Sequence, residues 1–386
     1  MRILAIANYL GSRGGLERTQ LTMCRELASR GHGVDLLYVT AGDFADDWRA
    51  FVNSMTPISG SLPRSERPLA SSVELIDAIK AARRLTPDVI YVFRYLDVPL
   101  AAAVGRLARV PVVLHLCLPQ PNLLPLVVRR SLAHLTMTLA VSFDTARNWK
   151  GTRIPAESMN VVHTGIDMDH YVPAPAEQRA ATRQALGIGP DEFLALYAGR
   201  ISPEKGMDVL LTACRDVAES HPGFRLIVVG GPSLGIDPAE TERYMRTLRG
   251  LSGSLDVTWL ETRHDVLPLI QTADVALAPS LWPEPFSRSV IEPLACGVPV
   301  IGSRVGGNPE ILTGWLDDYL VPPGDVDALA TCVRSLLGWR DTRPELVERF
   351  RSSVVERLSL DREVDTVEAC LASVARRRDH ATIAPG

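Results

Sequence analysis

The sequence predicts an α/β fold made of two Rossmann-like, doubly wound domains in tandem. The chain has 386 residues, which is more than one hydrophobic core usually serves. Short apolar runs alternate with segments of helical period along both halves, as expected for buried parallel strands joined by helices. Between the halves, Gly165–Pro175 breaks this periodicity and carries two prolines, which is typical of a hinge. We therefore expect two domains that face each other across a cleft.

The first half contains five apolar runs that read as buried strands. Met1 to Leu10 is too short to span a bilayer and is followed by Gly11, so it contains the first strand. A helix follows, with Leu16 and Leu27 on its apolar face, and Gly31 ends it. The five predicted strands are Ile3–Ala7, Val34–Val39, Val89–Phe93, Val112–Leu116 and Leu139–Val141.

The second half repeats the pattern, and the two halves define the predicted domains. Its predicted strands are Phe193–Tyr197, Leu226–Val229, Val257–Leu260, Val275–Ala278 and Val300–Ile301. Residues 1–170 form the predicted first domain and residues 171–361 the second. A last helix within 362–386 has one apolar face and is expected to cross back to the first domain.

Composition excludes several classes of protein. The net charge is only -4 and the basic residues are scattered, which gives no electrostatic footprint for nucleic acid. The six cysteines lie far apart without metal-type spacing, and the amino terminus does not resemble a signal peptide. No transmembrane helix is visible, so we expect a cytoplasmic protein. Nothing in the sequence indicates an oligomeric state.

The most informative motif is a pair of glutamates, Glu284 and Glu292, with seven residues between them. Pro285 biases Glu284 away from helical dihedrals, and Ser289 with Glu292 has the spacing of a capping box. A helix is therefore predicted to begin just after the first acid. Two acids so placed can bind different hydroxyls of one elongated ligand, with the backbone amides between them facing its anionic centre. The alternative is that Glu292 only caps its helix and Glu284 is a solvated loop acid.

This stretch, with the Cys-Gly-Val-Pro-Val run 296–300 behind it, resembles the signature of retaining glycosyltransferases of family 4. The resemblance implies the GT-B fold and a nucleotide-diphosphate sugar as donor. It assigns Glu292 to the ribose hydroxyls and Glu284 to the donor sugar. The intervening residues implied in donor binding are Phe286, Ser287, Arg288 and Ser289.

Two further elements fit the same resemblance. Arg200 and Lys205 follow the first strand of the second domain, where loops at strand ends line the crevice, and they resemble the family's Gly-Arg and Glu-Lys-Gly elements. Cations fixed there stabilise the charge that builds on a departing diphosphate. Gly14 and Gly15 precede a helix whose amides are expected to face the same diphosphate. That pair lacks the G-x-G-x-x-G fingerprint, so a dehydrogenase is disfavoured, and a plain tight turn is the alternative.

The remaining candidate site residues lie in the first domain. His115, near the end of a strand, either faces the cleft beside the reacting centre, as the resemblance implies, or satisfies a hydrogen bond in the core. Loop residues expected to face the acceptor are Arg94, Tyr95, Asp97, Gln120 and Asn122. For Leu123 to Leu135 a buried helix with a basic edge is favoured over contact with a membrane surface.

We predict no metal and no cofactor. Two pairs, Asp167 with Asp169 and Asp325 with Asp327, imitate a metal-binding pair. The first lies in the predicted hinge, and the second follows Pro322-Pro-Gly in a position that suits a helix start. Departures from the family pattern are Ser287, Pro293, Glu261 and Thr164; of these, Pro293 removes an amide donor from the signature helix.

The predicted activity is a retaining, metal-independent transfer of a sugar from a UDP- or GDP-sugar to a small-molecule hydroxyl. The arginine-rich composition suits an actinobacterial natural-product enzyme that acts on an aminocyclitol. A lipid or polysaccharide acceptor, a sugar-nucleotide epimerase and a non-catalytic nucleotide-sugar sensor are the alternatives.

Overall fold

The chain forms two compact units, each built on a parallel sheet. The computed structural model describes residues 1–11, 15–60, 68–232, 237–263 and 265–383, with the backbone alone for 68–75 and 377–383. Unit 1 comprises Met1–His163 and Asp361–Gly386, and unit 2 comprises Thr164–Leu360.

Unit 1 contains a parallel sheet of seven strands in the order β3-β2-β1-β4-β5-β6-β7. The strands are β1 (Arg2–Leu10), β2 (Gly33–Ala41), β3 (Ser54–Pro57), β4 (Val89–Val92), β5 (Val112–Leu116), β6 (Met137–Ala140) and β7 (Met159–Val161). The helices of this unit are α1 (Gly15–Ser29), α2 (Ala45–Arg49), α3 (Pro68–Leu85), α4 (Val98–Ala108), α5 (Leu126–Ser131), α6 (Phe143–Asn148) and, after the second unit, α16 (Leu360–Ile383), whose first residue belongs to unit 2. Because β1 pairs with both β2 and β4, the strand order reverses beside it, as in a doubly wound sheet.

Unit 2 contains six parallel strands in the order β10-β9-β8-β11-β12-β13. They are β8 (Phe193–Ala198), β9 (Phe224–Val229), β10 (Asp256–Leu260), β11 (Val275–Ala278), β12 (Val300–Ser303) and β13 (Leu320–Val321). The helices are α7 (Ala176–Ala185), α8 (Met207–Ser220), α9 (Pro238–Ser252), α10 (Leu267–Thr272), α11 (Arg288–Ala295), α12 (Asn308–Ile311), α13 (Val326–Arg334), α14 (Trp339–Thr342) and α15 (Leu346–Val355). Here β8 and β11 are the neighbours at which the order reverses.

The core of each unit consists of the strands and the helix faces packed on them. Strands β4, β5, β8 and β11 are buried along almost their whole length, which explains why their sequences are continuous apolar runs. The two parallel sheets and their helices form the GT-B fold, as the sequence predicts.

The chain passes between the units at two points that are tied together. The amide of Ile166 donates to the carbonyl of Leu358 at 3.0 Å, and the amide of Leu360 donates to the carbonyl of Ile166 at 2.8 Å. Beside this bridge, a Cβ on Gly165 would lie 2.3 Å from the carbonyl oxygen of Ser359, so only glycine fits.

After the second passage, α16 joins unit 1 through charged side chains. The guanidinium of Arg30 contacts Asp365 at 2.5 Å and Glu368 at 3.0 Å. His32 Nε2 lies 2.8 Å from the same Glu368.

Candidate functional site

Lys205 and Glu284 meet at the carboxyl edge of the sheet of unit 2. Lys205 ends the short 3-10 turn Pro203–Lys205 after β8, and Glu284 lies on the loop after β11. Because β8 and β11 are adjacent parallel strands, their following loops lie side by side. The Lys205 ammonium donates to Oε1 of Glu284, and the hydroxyl of Ser280 donates to the same oxygen at 2.8 Å. The two charged side chains are 18% and 16% exposed, so both remain within reach of a ligand.

Two glycines hold the backbone around this pair. Gly306 has a φ of +55°, and a Cβ there would lie 2.1 Å from the carbonyl oxygen of Glu284. The next amide, of Gly307, donates to that carbonyl at 2.7 Å. Gly206 has a φ of +69°, and a Cβ there would lie 2.1 Å from the carbonyl oxygen of Pro279. Neither approach is open to a larger residue, so the loops are held at fixed positions.

Glu292 lies in helix α11 and is bound by an arginine one turn earlier. Nε and Nη2 of Arg288 each lie 2.9 Å from Oε1 of Glu292. The hydroxyl of Tyr171 belongs to the same group, and burial, together with the nearby Glu292 charge, raises the pKa of Tyr171 to about 12. Burial opposes the charge of Arg288, but Glu292 and Tyr171 outweigh it and raise the pKa of Arg288 above its usual value.

The predicted capping box is wrong, although the helix begins close to where the sequence places it. Ser287, not Ser289, is the N-cap residue, and it makes no hydrogen bond of its side chain to a helix amide. The two serine hydroxyls instead bond each other at 2.9 Å. Glu292 does not reach back to the N-cap because Arg288 binds it. Pro293 lies inside α11 without ending it, since the helix continues to Ala295.

The loop after β8 is ordered by a buried phenol. Tyr197 donates from its hydroxyl to the carbonyl of Arg200 at 2.6 Å. Burial raises the pKa of Tyr197, and the Glu284 charge raises it further, so this hydroxyl stays a donor. The guanidinium of Arg200 is 55% exposed and lies 3.8 Å from Glu204. Its side chain can therefore turn towards an anion bound at this edge.

Within unit 2, the structure thus pairs Lys205 with Glu284 and Arg288 with Glu292, all four of which the sequence predicts to bind the donor. Phe286 and Ser287 are buried beside them, at 8% exposure each. Of the glycine pair in unit 1, Gly14 lies outside the described residues, and Gly15 is the first residue of α1.

His115 lies in the interior of unit 1. Its side chain has no exposed surface, and its Nδ1 forms a hydrogen bond of 2.7 Å with the hydroxyl of Tyr91. The ring stacks on Phe93 with 4.9 Å between centroids, and Nε2 lies 3.8 Å from Glu363. Burial lowers the pKa of His115 to about 3. A group so enclosed cannot touch a substrate, so the catalytic role predicted for His115 is wrong. The alternative, a hydrogen bond in the core, agrees with the structure.

The five predicted acceptor residues are distributed differently. Asp97 is only 1% exposed, which removes it as a contact residue. Tyr95 packs on Trp149 with 5.3 Å between ring centroids. The backbone amide of Gln120 donates to Asn148 at 2.6 Å. Arg94 and Asn122 lie partly or fully at the surface, so with Tyr95 and Gln120 they stay predictions.

The segment Leu123 to Leu135 is not the buried helix that the sequence favours. Helix α5 is six residues long and buries only Val128. Leu123, Leu126 and Val127 are exposed by 85%, 59% and 38%. In the part of the chain that the structure describes, no helix combines the length and apolarity needed to cross a bilayer.

Two site residues escaped the sequence analysis. Ser280 follows β11, and a polar residue at the carboxyl end of a buried strand is a signal that could have found it. Tyr171 lies in the segment interpreted as a hinge, and nothing local marks it as a partner of Glu292.

Metal-like acid pairs serve other purposes. Asp325 caps α13 by accepting from the amide of Ala328 at 2.9 Å, which confirms the predicted helix start. Asp167 accepts from the amides of Asp169 and His170 at 3.0 Å each. Across residues 1–11, 15–60, 68–232, 237–263 and 265–383, no group of three or more His, Cys, Asp or Glu is arranged to hold a metal ion.

The GT-B fold, with Lys205 and Glu284 at the carboxyl edge of one sheet, defines the class as a glycosyltransferase. Comparison with known proteins gives the family. Residues 13–170 match the family described as Glycosyltransferase Family 4, and residues 178–353 match the one described as Glycosyl transferases group 1. The chain therefore belongs to the family 4 (group 1) glycosyltransferases.

Curated relatives match part of the chain. The D-inositol 3-phosphate glycosyltransferase of Mycobacterium sp. strain KMS is 36% identical over 181 residues, which is 46% of this chain and 39% of the relative. The protein of that name from Mycolicibacterium smegmatis is 32% identical over 220 residues, or 56% and 47% of the two chains. This chain thus spans under half the length of these relatives.

Solved structures match the whole fold. Anabaena HepE in complex with UDP superposes with a TM-score of 0.83 at 20% identity, over 97% of this chain and 100% of that one. The complex of HepE with UDP-glucose gives 0.81 at 20% identity, over 96% and 99%. A glycosyltransferase of Rickettsia africae gives 0.81 at 17% identity, over 96% and 98%.

Proposed function

We propose that this chain is a retaining, metal-independent glycosyltransferase that moves a sugar from a UDP-sugar to a hydroxyl of a small polar acceptor. The observation that carries the proposal is the pairing of Lys205 with Glu284, beside Glu292, at the carboxyl edge of the unit 2 sheet. Open α/β sheets bind their ligands at this edge, where the strand order reverses.

The diphosphate would be bound by the two cations of this edge. Lys205 donates to Glu284, and phosphate oxygens would share the three donors of its ammonium. Arg200 is exposed enough to reach the same phosphates. Because negative charge grows on the diphosphate as the sugar leaves, both cations stabilise the transition state more than the ground state.

The two glutamates would bind the hydroxyls of the donor. Arg288 binds Oε1 of Glu292, and Oε2 of Glu292 would accept from a ribose hydroxyl. Glu284 would accept from a hydroxyl of the sugar once phosphates draw Lys205 away. UDP is the proposed carrier because HepE, which shares the fold, has been solved with UDP and with UDP-glucose.

Retention of configuration would follow from displacement on one face of the sugar. The bond from the anomeric carbon to the diphosphate oxygen breaks, and the acceptor oxygen forms its bond on the same face. The departing phosphate oxygen accepts the proton of the acceptor hydroxyl. No separate base is needed, which agrees with the burial of His115.

The proposed acceptor is a cyclitol-type molecule, such as an aminocyclitol in natural-product biosynthesis. The curated relatives are named for D-inositol 3-phosphate, a cyclitol phosphate, and this supports the class. A lipid or polysaccharide acceptor, epimerisation of the donor, and sensing without turnover are the outcomes that would replace it.

The test is a mass-spectrometric screen of UDP- and GDP-sugars against pooled cyclitols, lipids and saccharides. The proposal expects a cyclitol glycoside that requires a UDP-sugar and is lost in Glu284→Ala. Donor conversion without any acceptor would indicate an epimerase, and donor binding without product across the panel would indicate a sensor. Product formation unaffected by Glu284→Ala would refute the site.

A further inference from the structure

Unit 2 has a cavity rich in arginine at the amino edge of its sheet, opposite the edge that carries Lys205 and Glu284. The cavity has a volume of about 590 Å³ and is lined by Arg179 and Arg183 of α7 and by Arg340 of α14. Cavities of this size hold small molecules in other proteins. All its lining residues belong to unit 2.

The three guanidinium groups converge on one carboxylate. Asp274 accepts from Arg179 at 2.5 Å, from Arg183 at 3.1 Å and from Arg340 at 3.0 Å, and also from the amide of Leu194 at 2.9 Å. Its side chain is 9% exposed. One buried carboxylate therefore neutralises only part of the positive charge gathered around it.

Other acids nearby do not restore the balance. Asp341 also acts on Arg179 through space, which still leaves three cations against two carboxylates. Glu192 lies near Arg183, but it is paired with Arg225 at 2.9 Å and adds no net charge. Burial, with repulsion from Arg179, lowers the pKa of Arg340 to about 10, and burial likewise lowers the pKa of Arg179.

Two buried donors of these groups have no acceptor among the described residues. Within the residues that the structure describes, Nε of Arg179 and Nε of Arg183 are buried without a hydrogen-bond partner. Arg183 is only 4% exposed, so solvent cannot supply the missing acceptor freely. Buried donors left unsatisfied are costly, and charged ones more so, which favours an anion that would accept from them.

The site is separate from the proposed donor site. Asp274 comes just before β11, whereas Glu284 comes after it, so the two sites lie at opposite ends of that strand. Four residues at about 3.3 Å each place Asp274 more than about 13 Å from Glu284 along that strand. A ligand here would not contact the diphosphate edge.

We propose that this cavity binds a small organic anion whose phosphate or carboxylate group is held by Arg179, Arg183 and Arg340. Guanidinium groups match the oxygens of both kinds of oxyanion in paired hydrogen bonds. The body of the ligand would lie against Pro173, Ile188 and Val347, which form an apolar part of the lining.

The test is isothermal titration calorimetry with inorganic phosphate and with citrate, which separates the two kinds of oxyanion. Both Arg179→Gln and Arg340→Gln are expected to weaken binding at least about tenfold, since each removes a charged hydrogen bond. Circular dichroism and thermal unfolding show whether these variants fold. Lys205→Met removes the cation of the donor edge and is expected to leave this binding unchanged.

A second test adds a negative charge at an exposed residue of the cavity lining and keeps all three arginines. Its result therefore does not depend on whether the arginine variants fold. Gln184 lines the cavity and is exposed, whereas Gln178 lies on the same helix outside it. Gln184→Glu is expected to abolish binding, and Gln178→Glu to leave it within about twofold. The proposal is overturned if neither anion binds saturably, if Gln184→Glu binds as the wild type does, or if Lys205→Met alone removes binding.

Discussion

Lys205 is the residue on which the proposed chemistry depends most. It is one of three lysines in a chain whose other basic residues are arginines, and its ammonium is held against Glu284 and 18% exposed. A compact ammonium at this place can follow the charge of a departing phosphate.

Lys205→Met should lower kcat/KM for a UDP-sugar by about a hundredfold or more, because a charge that stabilises the transition state is lost. Steady-state kinetics with the product detected by mass spectrometry measures it. Lys80→Met is the matched control, since Lys80 is exposed and lies 3.7 Å from Asp77. Equal losses in the two variants would contradict the assignment.

His115 makes a prediction about stability rather than catalysis. Its pKa is lowered to about 3 in the folded chain by burial, against about 6.5 in an unfolded one. Between these values the unfolded chain binds the extra proton, so stability is present above pH 6.5 and is lost as the pH falls. Lowering the pH from 6.5 to 5 should cost about 2 kcal/mol through this residue alone.

Urea unfolding of the wild type and of His115→Gln at several pH values tests this. The variant should be less stable at pH 7, since Tyr91 loses its hydrogen bond with the imidazole, but its stability should fall less steeply with acid. Replacement of the exposed His134 by glutamine is the control. A variant that is as acid-sensitive as the wild type would refute the buried neutral imidazole.

At the scale of elements, the loops after β8, β11 and β12 position the site. Gly306 packs against the backbone of Glu284, so the loop after β12 supports the loop after β11. The position of Glu284 therefore depends on a residue that touches no ligand itself.

Gly306→Ala should both destabilise unit 2 by about 1–3 kcal/mol and raise KM for the donor, since a Cβ would meet the carbonyl oxygen of Glu284 at 2.1 Å. Gly314→Ala is the control for backbone strain alone, because Gly314 has a φ of +67° and a Cβ there would meet nothing within 4 Å. Denaturation and donor kinetics of both variants are the measurements. A donor KM raised equally by both would contradict the role of Gly306 in supporting Glu284.

Elements show how far sequence reasoning reaches. Strands such as β4 and β5 are predicted within a residue, because burial on both faces makes them continuous apolar runs. Three of the edge strands, β3, β7 and β13, have two to four residues and give no such signal. The cationic and acidic motifs of unit 2 are visible because they follow strands, and the structure places Lys205 and Glu284 in contact.

The sequence does not predict the direction in which the side chains of His115 and Glu292 point. A strand with two buried faces has no alternation to show which way a residue points, so His115 could be taken for a site residue although it faces Tyr91. Glu292 has the spacing of a capping box, but its carboxylate binds the guanidinium of Arg288 instead of a helix amide.

At the scale of the whole molecule, the two segments that connect the units are joined by backbone hydrogen bonds. Ile166 pairs with Leu358 and Leu360 through its backbone, and Gly165 allows the close approach of Ser359. Both passages therefore form one hydrogen-bonded ribbon within unit 2.

Gly165→Ala should lower the melting temperature by several degrees and speed proteolysis near residues 164–170, because the added Cβ would lie 2.3 Å from a backbone oxygen. Gly250→Ala, in helix α9 with open space around it, should be neutral or slightly stabilising. Calorimetry and limited proteolysis compare the two. A Gly165→Ala protein as stable as the wild type would show that the ribbon does not constrain the chain.

We propose above all that the carboxyl edge of the unit 2 sheet binds a nucleotide-diphosphate sugar. A crystal structure with UDP-glucose tests it most directly. The account predicts ribose hydroxyls within hydrogen-bond distance of Glu292, the diphosphate on Lys205 and Arg200, and Glu284 released to the glucose. Density for the nucleotide at any other place, with Lys205 still bound to Glu284, would contradict it.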